Sequence, residues 1–142
     1  MRKLLILPLL IFLLISISCD TSSPEELDKN DILDIFDSIQ LSFNIDDPDG
    51  IMQNYHQDFF HNGDTFDWER DVIWVSRLAD YDVLLFENIE INVNGNYATA
   101  SFLMHLDSIT TEEPSDENGD VSYFYYDLGS WKVCGEGFTI QP

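Results

Sequence analysis

Hydrophobic positions recur along this chain with two periods, and the change from one to the other falls near Val83. Before it, Ile32, Ile35, Phe36, Ile39 and Phe43 form a narrow stripe at helical spacing, with Asp34 and Asp37 pointing away. That pattern predicts one amphipathic helix docked on a single side. Its start has two readings: Ser23-Pro24-Glu25-Glu26 has a capping hydroxyl, a first-turn proline and an acid three residues on, while an acidic linker over 25–31 would move the start to Asn30 or Asp31. Asp47 is then the expected cap of a second helix, with Pro48 in its first turn, Ile51, Met52, Tyr55 and Phe59 on one face, and a stop near Gly63. A third helix is expected from about Asp67 to Ala79. It is apolar nearly all round, with Trp68, Val72, Val75 and Ala79 on one stripe and Trp74 and Leu78 on another, so it should be covered on more than one side.

From Val83 the period is two. The stretch from Val83 to Asp107 alternates on both sides of Asn94-Gly95-Asn96, the signature of a tight antiparallel hairpin. On its first strand Val83, Leu85, Ile89, Ile91 and Val93 share one parity, opposed to Asn88, Glu90 and Asn92. On its second, Ala98, Ala100, Phe102, Met104 and Leu106 alternate with Thr99, Ser101, Leu103 and His105. The small alanines beside bulky Phe102 and Met104 give the inward face a taper that suits a curling sheet. Residues 108–119 read as an acidic, solvated loop, Val121 to Asp127 as a strand, Leu128-Gly129-Ser130 as a turn, and Trp131 to Ile140 as the last strand. Trp131 shares its parity with Val133 and should face the core.

The length, 142 residues, suits one domain with a real core, and 44% hydrophobic residues mark a globular chain despite its charge. Arg2 and Lys3 precede Leu4 to Ile15, an apolar run broken only by Pro8 and followed by Ser16-Ile17-Ser18-Cys19. Such a run is too short to span a membrane as an ordinary helix but fits the core of an export signal. Beyond Cys19, four basic residues face 27 acidic ones, a charge of −23. Nucleic acid and anionic lipid surfaces are polyanions and are disfavoured as partners.

Motif chemistry is mostly exclusion. His56, His61 and His105 have no metal-ligand spacing, and there is no Cys-x-x-Cys, His-Glu-x-x-His, glycine-rich phosphate loop or Gly-x-Ser-x-Gly elbow. Asp116, Asn118 and Asp120 fail as a calcium loop, with glycine at the fourth position instead of the sixth and no glutamate at the twelfth. No metal and no cofactor is expected. The polar candidates left are Tyr55, Asp58, His61, Asp64 and His105. Of these, Tyr55 and Asp58 at i and i+3 would share a helix face as donor and base.

Two resemblances add to this. Ser18-Cys19 after the apolar run resembles a bacterial lipoprotein signal, which implies a lipid on Cys19, a signal peptide over 1–18, a short tether or helix start over 19–29 and a domain over 30–142. Ser16 departs from that pattern, where an apolar residue is usual. It leaves open ordinary cleavage of a secreted, soluble product in which Cys19 and Cys134 pair. Three helices before a meandering sheet, with Tyr55-x-x-Asp58-Phe59 and Gly129-Ser130-Trp131-Lys132-Val133, resemble the nuclear-transport-factor-two-like and SnoaL-like cone fold over about residues 30 to 140.

That second resemblance implies an α+β domain with a curved antiparallel sheet wrapped on helices. Its pocket would be lined by Tyr55, Asp58, Phe59, Asp64, Trp74, Phe102, Met104 and Trp131. Steroid-isomerase-like members place a base five residues after the position of Asp58, where this chain has Gly63, with Asp64 next. They also have a tyrosine in the first helix, whereas none precedes Tyr55 here, and no carboxylate lies between Val121 and Tyr126. The function expected first is therefore an envelope-anchored, non-enzymatic cone that binds a small apolar ligand or a partner. An isomerase- or dehydratase-like enzyme and a structural surface lipoprotein are the alternatives. Membrane association through Cys19 and a homodimer through the sheet face are the expected contacts.

Overall fold

The structure is a computed structural model and describes residues 24–115 and 119–139. Helix α1 (Pro24–Asn44) is followed by α2 (Pro48–Met52), a small hairpin of β1 (Phe60–His61) and β2 (Asp64–Thr65), and one continuous helical stretch. That stretch is made of α3 (Phe66–Trp68), a π-helical segment (Glu69–Trp74) and α4 (Val75–Asp80). The sheet then follows with β3 (Leu84–Asn94), β4 (Tyr97–Leu106), β5 (Ile109–Glu113), a 3-10 turn (Gly119–Val121), β6 (Tyr123–Asp127) and β7 (Ser130–Val133). All pairings in the five-stranded sheet are antiparallel, in the order β3-β4-β6-β7, with β5 also on β4. This is the expected α+β architecture.

Helix α1 buries the stripe read from its spacing, Ile32, Ile35, Phe36, Ile39 and Phe43, against the concave side of the sheet. The interior is filled with rings. Phe36 lies 5.1 Å from Phe86, 5.0 Å from Phe102 and 5.7 Å from Phe124, mostly edge-on. Tyr55 lies 5.1 Å from Phe59 and 6.4 Å from Trp74. Each such pair adds about 0.5–1.5 kcal/mol to what burial already contributes.

Several expectations are corrected. The second helix ends at Met52 rather than near Gly63, because the next backbone finds strand partners: His56 donates its N–H to Val133 O (2.8 Å), and Val133 donates to Asn54 O (2.9 Å). Gly63, at φ 97°, serves the β1–β2 turn. The third helix is covered mainly along Trp74, which is fully buried, while Trp68 and Val75 are each 50% exposed. Residues 109–113, expected in a loop, pair with β4 from Leu106↔Ile109 to Phe102↔Glu113. The last strand stops at Val133 instead of Ile140.

The first hairpin strand has two parities, not one. Leu84 and Phe86 face inward and Val83 and Leu85 outward, but Ile89, Ile91 and Val93 pack on the core. A β-bulge reconciles them: the register with β4 shifts between Glu87 and Glu90, and Asn88 takes φ 55°, a conformation asparagine tolerates better than most residues. On β4 all five inward residues are buried as the alternation required.

Trp131 is 4% exposed and its indole N–H donates to Asp28 Oδ1 (3.1 Å), tying β7 to the first turns of α1. Neighbouring Lys132 reaches outward to Gln53 O at 2.7 Å. Denaturant titration of Trp131→Ala should show a loss of about 3–5 kcal/mol, and Lys132→Ala a loss well under half of that. Equal, small losses would mean that the two faces of β7 are reversed.

Candidate functional site

A buried polar cluster lies where the helical stretch meets the 3-10 turn. Arg77 of α4 donates to both oxygens of Asp120, at 2.7 and 3.2 Å. Its guanidinium also lies 4.7 Å from the Trp74 ring centroid and 3.8 Å from Glu69 Oε1. Trp74 in turn donates its indole N–H to Tyr55 Oη at 3.0 Å. Side-chain exposures of 2% for Glu69, 11% for Arg77 and 5% for Asp120 leave the cluster enclosed.

Enclosure decides the protonation states. Burial pushes the Glu69 carboxyl up to about 10, and the neighbouring Asp120 carboxylate adds to the rise, so Glu69 is a neutral acid at ordinary pH. Burial alone would raise Asp120 as well, but Arg77 holds it below its usual value. One shared proton and one arginine thus accommodate two carboxyls in a dry interior. Glu69 Oε1 is buried without a hydrogen-bond donor, so the network has one unsatisfied atom. The Tyr55 phenol is raised well above its usual value by burial and by the same two acids.

Sequence reasoning missed this cluster. Glu69 sits in a helix read as apolar nearly all round, and Asp120 falls between the loop read as solvated over 108–119 and the strand expected from Val121, where no carboxylate lies before Asp127. The only sequence signal was scarcity. Arg77 is one of four cations beyond Cys19 and one of two, with Arg70, in the helix expected over 67–79, and an arginine buried in an apolar helix needs an acid partner.

The residues expected in a pocket are distributed otherwise. Tyr55, Phe59, Trp74, Phe102, Met104 and Trp131 are packed in the core, each at most 4% exposed. Asp58 is exposed, and it does not share a helix face with Tyr55 because α2 ends before both. It borders an open groove of about 480 Å³ together with Phe60, Phe66 and Asp67. Asp64 is half-buried in β2.

The histidine nitrogens are engaged. His56 Nδ1 accepts from the Asp58 N–H (3.0 Å) and Nε2 faces Asp127 at 3.4 Å. His61 contacts the Glu136 N–H and Asn62, and His105 contacts Thr110 and Glu87. No histidine therefore presents a free lone pair to a substrate. Among the described residues no group of three metal-ligating side chains converges. Cys134 is buried and its thiol is pushed up to about 12 by burial, while Cys19 lies outside the described residues.

No protein-family model matches the chain, and no curated protein matches its sequence. Solved structures do match its fold. An NTF2-like protein of unknown function from Pseudomonas putida superposes with a TM-score of 0.56 at 11% identity, over 83% of this chain and 98% of the other. A Nostoc punctiforme protein of unknown function with a cystatin-like fold gives 0.58 at 15% identity, over 77% and 87%. A Shewanella frigidimarina protein provisionally named a ketosteroid isomerase gives 0.54 at 10% identity, over 74% and 91%. The cone fold of NTF2-like proteins is therefore the fold of this chain.

The buried acid pair makes stability depend on pH. Folded Glu69 keeps its proton up to about 10, whereas the unfolded chain releases it near 4.5, so the folded form is favoured most below 4.5 and loses that advantage as pH rises toward 10. Glu69→Gln, which carries no titrating proton, should lose this dependence. Between pH 5 and pH 8 the wild type should lose at least about 1 kcal/mol relative to Glu69→Gln, read by denaturant titration at each pH. Parallel curves for the two proteins would show that Glu69 is ionised in the fold.

Proposed function

We propose that this protein is a lipid-anchored cell-envelope protein whose cone acts without catalysis, engaging a partner with its outer surface instead of a small ligand in its interior. The observation that carries this reading is the filled cone: the positions at which a pocket was expected are occupied by Tyr55, Phe59, Trp74, Phe102, Met104 and Trp131 packed against one another and the core. Catalysis of the isomerase kind needs a base and a donor converging on one substrate atom. Here Tyr55 Oη is tied to Trp74 inside the core, Asp58 is outside it, and the Glu69–Asp120 pair is sealed behind Arg77. The provisional name of the Shewanella protein therefore gains no support from the residues of this chain.

The anchor rests on the apolar run and Cys19. Only the four residues from Asp20 to Ser23 separate that cysteine from Pro24, where α1 begins, so a lipid on Cys19 would hold the cone close to the membrane. Among the described residues no helix is long and apolar enough to cross a membrane.

Fractionation tests the anchor. Wild-type protein should be found with membranes and carry acyl label, since a buried lipid chain contributes about 0.8 kcal/mol per methylene. Cys19→Ala should carry no label and should be either released or retained as the longer precursor. Wild-type protein found wholly in the soluble fraction, with a Cys19–Cys134 disulfide, would overturn the anchor.

A further inference from the structure

The free edge of β3 is treated in two ways along its length. Its first half is closed by α1: Leu84 donates its N–H to Asn44 Oδ1 (2.9 Å), Asn44 Nδ2 donates to Leu84 O (3.2 Å), and Phe86 donates to Gln40 Oε1 (3.1 Å). Gln40 and Asn44 are one helical turn apart, so two side-chain amides of one helix face do what a neighbouring strand would do. Beyond the bulge this capping stops.

Backbone direction there follows from the register. Asn94 and Tyr97 close a two-residue turn and so exchange hydrogen bonds, as do the alternate pairs Asn92↔Thr99 and Glu90↔Ser101. Ile91 and Val93 fall between them, which directs their N–H and C=O groups away from β4. The opposite strand confirms the phase: Ala100, facing Ile91, sends its N–H outward to Ser122 O at 2.8 Å. Among the described residues nothing bonds to the outward groups of Ile91 and Val93, and β3 is the terminal strand of the sheet.

We infer that the open half of this edge, from Ile89 to Val93, is a docking site for an extended, positively charged polypeptide segment of another protein, which adds a strand beside β3. The inference deepens the proposed function and rests on it, since it names the partner of that outer surface. Unpaired edge groups bind an extended backbone regardless of its side chains, and charge then selects the partner. Glu87 and Glu90 stand exposed along the same strand. The four cations beyond Cys19 are committed within the fold, Lys29 to Glu25, Arg70 to Asp67 and Asp71, Arg77 to Asp120 and Lys132 to Gln53 O. A second copy of this chain would bring −23 against −23, whereas a basic strand is drawn in.

The test uses the full chain in detergent and a short synthetic peptide of alternating valine and lysine. The peptide should bind, bind less as salt is raised, and slow hydrogen exchange at the Ile91 and Val93 amides. Methylating alternate peptide nitrogens should weaken binding about tenfold or more, because ladder bonds are lost. Ile91→Pro removes one outward donor without touching the ladder to β4, an edge position where proline is tolerated, and should weaken binding to a similar degree. Circular dichroism checks that this variant folds, and if it does not, the methylated peptide decides.

Equal binding of both peptides, an unaffected Ile91→Pro, no peptide binding, or amides of Ile91 and Val93 already protected in the free protein would each overturn the docking edge. The last outcome would mean that a second copy or the chain's own segment covers it. None of these outcomes alters the fractionation result, so failure of the edge and failure of the anchor remain distinct.

Discussion

One extra residue in β3 sets the terms for the rest of the sheet. Without the bulge at Asn88, the strand could bury either Leu84 and Phe86 or Ile89, Ile91 and Val93, because the two sets have opposite parity. With it, both sets face α1. The same shift keeps the outward backbone groups in phase with the inward side chains along the whole edge. For that reason α1 can cap Leu84 and Phe86 with two amides, and the edge beyond its reach presents the groups of Ile91 and Val93.

The second constraint is the cost of placing charge inside a filled cone. Rings occupy the interior, and the ionic groups of the cluster beside them neutralise one another: Arg77 with Asp120, and Glu69 by keeping its proton. An acid with a raised affinity for protons, a tyrosine and an arginine are the ingredients of acid–base catalysis. Their burial ties them to one another as a network, and its signature is pH-dependent stability.

Much of this was legible along the chain, and some of it was not. The α1 stripe, the alternation of β4, the Gly95-Asn96 turn and the inward Trp131 were all fixed by local period, because each face of those elements meets a single environment. Composition and the segment ending at Cys19 likewise determined the charge and the expectation of export, before any fold was known. Tertiary pairing decided what no local period encodes. The backbone from Asn54 to Phe60 left the helix because β7 and Cys134 offered it hydrogen bonds, and residues 109–113 became a strand because β4 had a free edge beside them. Glu69 and Asp120 are 51 positions apart in a numbering that gives no hint of their meeting. Only the closing of the helical stretch over the 3-10 turn brought them to one arginine, since burial, and not sequence spacing, determines which acids must share a proton.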